Sequence, residues 1–390
     1  MSNVTVLGVG DLILQVPDIG KYFDPARDIL RSGDITIGQI ETPHTDRGHV
    51  CNPEPRMVPP APPENLDCLP DAGFDVCGFG GNHTFDQGYY GVMDTLDRLK
   101  QNGILTCGAG ENIEEACKPA LLERKGQRFA VFQYDCIGPV LSWASPMKAG
   151  AAFVRALTIY ESEFCEPAAM PDYAWTVVDP WSLQNMVKNI EAHKAQGYTC
   201  IVSLHIGRMY DKHVLPYEIV ITHAAVDAGA SMVICQHTHE CRGISVYKGV
   251  PIYHNLGNFL TLTSMMNFDS NSPVKAQSLY KPFEYPGVNP VMWSRNTTEK
   301  NHETGIPNYV FSNCSRNTLI AKAVFSENGL VEAGFYPCYM SDIGEPTPVK
   351  RDGKGADVLE CFRELNRIAE LPDDIFSWSE NGEEVMIRLK

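Results

Sequence analysis

Met232-Val233-Ile234-Cys235-Gln236-His237-Thr238-His239-Glu240 is an apolar run that ends in two histidines. Residues 232–235 have the composition of a buried strand. In extended backbone, alternate side chains point the same way. Imidazoles spaced i, i+2 at a strand's end can therefore converge on one metal centre. Taken alone, the pair suits two ordinary loop histidines better than a metal centre. The rest of the chain adds weight, because other strand-like runs also end in ligand-type residues.

Residues 4–9 read as a first buried strand, followed by Gly10-Asp11. Residues 35–40 read as a second, followed directly by Glu41. A third, residues 75–79, leads into Gly80-Gly81-Asn82-His83-Thr84-Phe85-Asp86. Residues 200–204 form another, and they deliver His205. Open α/β sheets place their sites just beyond the carboxyl ends of strands. Singly, Asp11 reads as a turn or capping aspartate and His205 as a core histidine. Together, five runs ending at Asp11, Glu41, Asn82-His83, His205 and His237-x-His239 are a poor fit to chance. Mixed Asp, Glu, Asn and His donors suit one or two divalent transition ions (Zn, Mn or Fe) rather than calcium. Asp86 is spaced to orient His83.

Around these motifs the chain punctuates clearly. Val92, Met93, Leu96 and Leu99 recur at helical spacing, with a stop at Asn102-Gly103. Gly108-Ala109-Gly110 lacks the rest of a nucleotide fingerprint. Residues 120–122 and 129–134 read as a hairpin about Gly126, and Asp179-Pro180 as a helix start. Residues 136–179 otherwise look irregular. A helix over residues 217–228 precedes the 232–235 strand. A proline-rich loop follows His44, with His44 and Arg56 as candidate substrate contacts. Residues 263–313 are rich in Asn, Ser and Pro and read as an insertion bordering the site. Residues 317–325 and 330–339 read as antiparallel strands about Glu327-Asn328-Gly329. Val358, Leu359, Phe362, Leu365 and Ile368 mark a C-terminal helix.

Composition narrows the function. With 32 basic and 48 acidic residues the formal charge is -16, which argues against sequence-independent binding to nucleic acid or to an anionic membrane. No apolar run has the length of a membrane span. Met1-Ser2-Asn3 runs straight into Val4-Thr5-Val6-Leu7 with no signal-like region, so a cytoplasmic location is expected. The 13 scattered cysteines, with no C-x-x-C pair, read as reduced thiols.

The order Gly10-Asp11, Ile40-Glu41, Asn82-His83-x-x-Asp86, Ser203-Leu204-His205-x-Gly207, Gln236-His237-x-His239 and Leu256-Gly257-Asn258-Phe259 resembles the CapA family of poly-gamma-glutamate synthesis proteins. Their PGA_cap domain belongs to the calcineurin-like metallophosphatase superfamily. The resemblance covers roughly residues 4–260. It implies an α/β fold, a metallophosphatase-like β-sandwich flanked by helices (α/β/β/α), with loop insertions and a C-terminal helix. It implies a core over residues 1–262, the 263–313 insertion, and residues 314–390 completing the same domain. It puts Asp11 and His239 on one metal and Asn82, His205 and His237 on a second, with Glu41 bridging in place of the usual aspartate. His83, supported by Asp86, would assist the leaving group. His44, Arg56, Arg208 and Asn258 are the substrate-binding candidates. Ile13 stands where the superfamily usually has a histidine, so one ion can lack a ligand.

The expected activity is metal-dependent hydrolysis. Metal-activated water would attack an amide, lactam, lactone or ester bond of a small polar or glutamyl-type substrate. The alternatives are a phosphoesterase with a dinuclear centre, and a non-catalytic accessory protein of poly-gamma-glutamate or capsule synthesis. Arg56, Arg208 and Arg242 are the cations nearest the motifs in sequence that could hold a phosphoryl group.

Overall fold

Strands whose every residue is buried, such as Ile35–Ile40 and Val76–Gly78, can only sit inside a sheet covered on both faces. The computed structural model describes residues 2–49, 51, 59–161, 173–209, 211–263 and 304–390. It builds two facing sheets. In the first, Val4–Leu14, Ile35–Ile40, Val76–Gly78 and Leu105–Cys107 run parallel in sequence order. Asn258–Leu262 also pairs parallel to Val4–Leu14, and Asn317–Ser326 pairs antiparallel to it, with Val4 opposite Phe325. In the second, Thr199–His205 lies between Gln127–Asp135 and Ala230–Gln236, all parallel.

The sheets meet through Val4, Val6, Ile35, Ile37 and Val76 on one side and Phe129, Val131, Ile201, Met232 and Ile234 on the other. A Cβ at Gly8 would lie 3.1 Å from Ile234 Cδ1, a measure of how close they come. Helix Gly88–Gln101 covers the outer face of the first sheet through Val92 and Leu99. Helices Pro180–Ala195 and Pro216–Asp227 cover the second through Met186, Ile190, Ile221 and Ala225. The order is helix, sheet, sheet, helix. Helix Lys354–Ile368 packs Phe362 on Phe335, with ring centroids 5.0 Å apart. Its neighbours include both C-terminal strands, Asn317–Ser326 and Gly329–Met340.

Two expectations change. The first strand does not end at residue 9 but continues to Leu14, so Asp11 lies inside it. Its register shifts between Gly8 and Asp11 against one neighbour and between Asp11 and Leu12 against another. That bulge turns Asp11 toward the site. Residues 136–179 are not uniformly irregular, since Ala156–Glu161 and Tyr173–Val178 form a hairpin. Arg56 and residues 264–303, most of the expected insertion, lie outside the described residues. The described cysteines are free thiols, and no described helix is long and apolar enough to cross a membrane.

Candidate metal centre

Both sheets direct the carboxyl ends of their parallel strands to one place. Glu41 follows Ile35–Ile40, and Asn82 and His83 follow Val76–Gly78. His205 is the last residue of Thr199–His205, and His237 and His239 follow Ala230–Gln236. One ligand atom each from Asp11, Glu41 and His239 lies within 4.8 Å of the other two. His239 Nε2 is 3.3 Å from Glu41 Oε1, and His239 Nδ1 is 3.6 Å from Asp11 Oδ2. Beside them, His205 Nε2 lies 2.8 Å from Asn82 Oδ1 and 3.1 Å from His237 Nδ1. The two sets adjoin, with His205 Nδ1 4.0 Å from Asp11 Oδ1. Sequence spacing brought all six residues together, but for a different local reason than expected. His237 and His239 have φ of 101° and 59°, so they are not an extended i, i+2 pair. The left-handed turn frees the His237 N–H to donate to Asp11 Oδ2 at 3.1 Å.

Burial decides the electrostatics. Asp11 and Glu41 are both almost fully buried, and charging both in a dry site is costly. Burial, then repulsion from Glu41, pushes Asp11 up to about 8. Burial would also raise Glu41, but the charge and hydrogen bond of His239 overcome it and hold Glu41 at about 2. Against its own burial, His239 is raised to about 9 by Glu41. Burial drives His205 down to about 3, and burial followed by His205 drives His237 well below the usual range. Asp11 Oδ1 and Glu41 Oε2 are buried with no hydrogen-bond partner among the described residues. Two unsatisfied carboxylate oxygens beside neutral imidazoles are what a divalent ion would satisfy, so the residues fit such an ion.

His83 stands at the edge of this group. Its Nδ1 is 2.7 Å from Asp86 Oδ2, with Asp86 fully buried and the imidazole 12% exposed. Burial opposes protonation of His83, but Asp86 prevails and raises it. Asn258 lies with the ligands, its Oδ1 2.9 Å from His239 Nδ1. His44 is fully buried elsewhere, its Nδ1 donating to the Pro62 carbonyl at 2.9 Å and its backbone N–H to Thr95 Oγ1. Arg208 is exposed and paired with Asp211.

Three contacts were missed. Gln39 Nε2 lies 2.6 Å from His205 Nδ1. Alternation in the strand puts Gln39 on the same side as Glu41, a signal that was available. The Ser142 hydroxyl donates to the Asn82 carbonyl at 2.5 Å, and the Phe311 ring lies 4.3 Å from that of His239. Nothing local in the sequence marks either one.

The family model described as bacterial capsule synthesis protein PGA_cap matches residues 5–262. The chain belongs to this family. The capsule biosynthesis protein CapA of Bacillus anthracis is 25% identical over 269 residues, covering 66% of this chain and 60% of that protein. A probable polyglutamine synthesis accessory protein of Mycobacterium tuberculosis is 27% identical over 231 residues, covering 58% and 55%. The PGA biosynthesis protein CapA of Bacillus subtilis is 24% identical over 243 residues, covering 62% and 56%. The chain therefore spans less than two thirds of the length of these relatives. The family match ends at the close of the Asn258–Leu262 strand and so takes in all six candidate ligands, His83 and Asp86.

Proposed function

We propose that this PGA_cap chain is a metal-dependent hydrolase that opens an amide, lactam, lactone or ester bond of a small, polar, glutamyl-type molecule. One observation carries the reading: two buried carboxylates, each with one oxygen lacking a hydrogen-bond partner among the described residues, adjoin four ligand-type side chains and a His–Asp pair at the strand ends. Asp11, Glu41 and His239 would hold one divalent ion, and Asn82, His205 and His237 would hold a second. Bound there, such an ion supplies Lewis acidity, polarising a substrate oxygen and lowering the pKa of a water.

The chain's own residues supply the rest. Asp86 accepts a hydrogen bond from the His83 Nδ1–H and fixes the ring. His83 Nε2 is then free to give a proton to the departing nitrogen or oxygen. Asn258 holds the His239 ring, and Phe311 shields it from water. The glutamyl character of the substrate rests on the names of the relatives.

Among the described residues, the arginines nearest the motifs favour attack at carbon over phosphorus; Arg56 lies outside the described residues. A phosphoryl group calls for guanidinium or ammonium partners. Arg208 is tied to Asp211 and Arg242 is buried on Glu218, so neither is available as it stands. Elemental analysis of chelator-free protein beside H237A/H239A tests the centre. One to two equivalents of transition metal, lost in the variant, support it and justify screening γ-glutamyl amides, lactams and aryl phosphates. Folded protein that stays metal-free after reconstitution overturns the hydrolase reading in favour of an accessory role.

A further inference from the structure

Gln39 is a fully buried residue of the Ile35–Ile40 strand that the chemistry above does not use. Its Nε2 lies 2.6 Å from His205 Nδ1, while its Oε1 is buried with no hydrogen-bond partner among the described residues. A neutral imidazole has one N–H and one lone pair, and the partner of one nitrogen fixes the state of the other. In the arrangement observed, the amide NH2 donates to Nδ1. The ring proton is then on Nε2. Two acceptors await it there, Asn82 Oδ1 at 2.8 Å and His237 Nδ1 at 3.1 Å. This network is complete without an ion, because the Nε2 proton fills the space between three ligand-type side chains. Only the Gln39 oxygen is left over.

Rotation of the amide by half a turn removes that defect. Oε1 then faces His205 Nδ1, which must carry the proton, and Nε2 presents its lone pair to the space it shares with Asn82 and His237. The exchange balances: one proton leaves Nε2, one arrives at Nδ1, and the ring stays neutral. The displaced NH2 swings toward the neighbouring strand, where Gly78 is Gln39's partner in register. A Cβ at Gly78 would fall 1.3 Å from Gln133 Oε1, so that oxygen occupies the space beside Gln39. It too is buried without a partner. Room for the swing comes from Gly81, where a Cβ would lie 3.2 Å from both Gln39 Nε2 and His205 Nε2. Glutamate could only accept when ionised, and leucine could do neither. An amide can serve both ring tautomers.

We infer that Gln39 is a positioning residue that selects the tautomer of His205, its amide turning over when the ring becomes a ligand. The inference rests on the reading of His205 as a metal ligand.

Long-range proton–nitrogen spectra of 15N-histidine-labelled protein test it, with His205 assigned from the H205N variant. In chelator the ring should be protonated at Nε2, and after titration with zinc at Nδ1. Zinc affinity, read by competition with a chromophoric chelator, should fall about 10–100-fold in Q39L. The melting temperature of the metal-free protein should change little. Q39E keeps the acceptor and should restore affinity, with His205 protonated at Nδ1 even in chelator. Zinc that binds wild type and Q39L equally, or a tautomer that does not change on loading, overturns the inference alone. Zinc that fails to bind wild type overturns the ligand reading as well.

Discussion

Asn258 Oδ1 lies 2.9 Å from His239 Nδ1, and the same ring presents Nε2 to Glu41 Oε1 at 3.3 Å. The amide carbonyl accepts the ring N–H and so fixes which nitrogen faces the carboxylates. Its Nδ2 is tied in turn to the Tyr309 hydroxyl at 3.4 Å. Replacing Asn258 with leucine should leave the ring free to rotate and weaken metal binding about 10–100-fold. N258D, which keeps the acceptor, should bind within a few-fold of wild type. Chelator competition measures both, and equal affinity in N258L would remove Asn258 from the centre.

His83 and Asp86 form a pair that adjoins the ligands without belonging to them. If the ring acts on the leaving group, H83A should lower turnover about 10²–10⁴-fold. D86N should lower it less, because the imidazole remains but loses its orienting acceptor. Metal content should be unchanged in both. The measurement is kcat on the best screened substrate, beside elemental analysis of the same preparation. Loss of metal in H83A would make the ring a ligand instead.

Much of this was legible because the decisive strands are buried on both faces. Residues 200–204, interrupted only by Ser203, and 232–235 are apolar runs; His205 follows the first directly, and His237 follows the second one residue past Gln236. What sequence could not give is set by distant contacts. Asp11 is inside a strand because the backbone bulges where Gly10 meets the Gly257 carbonyl; a Cβ there would fall 1.8 Å from that oxygen. The positive φ of His237 and His239 depends on the approach of Asp11 from the other sheet. The missed hairpin has Ile159 and Trp175 half exposed, so it lacks the buried apolar run that marks a core strand. Phe311 reaches His239 only through the tertiary fold.

Two histidines away from the centre predict acid sensitivity. Burial pushes His44 down to about 4, and burial with the nearby Arg242 charge pushes His254 to about 3. Both are depressed below the unfolded value, so the folded state prefers the neutral rings. Their contribution is complete above about pH 6.5 and is lost as pH falls toward 4 and 3. At pH 5 each should have lost about 2 kcal/mol of stability. Urea unfolding of chelated protein at pH 7 and pH 5 reads the difference. H254Q, whose amide can still meet Ser245 Oγ, should shrink the pH 5 deficit by about that amount. An unchanged deficit would mean that His254 is protonated in the fold at little expense.

Arg242 is wholly buried three residues beyond His239, and its Nη1 reaches both carboxylate oxygens of Glu218 at 2.8 Å. Its Nη2 donates to the Arg208 carbonyl at 2.6 Å, so one side chain ties the loop after His239 to the loop after His205 and to helix Pro216–Asp227. Burial raises Glu218, and Arg242 pulls it back. R242M keeps much of the volume but leaves a buried carboxylate unpaired, which should destabilise the fold by about 3–5 kcal/mol at neutral pH. The deficit should narrow in acid, because Glu218 can then take up a proton in place of its partner. R242M/E218L removes both charges and should recover most of the loss. Urea unfolding separates the cases: a double variant as unstable as R242M would show that the tie between loops, rather than the charge, holds this region together.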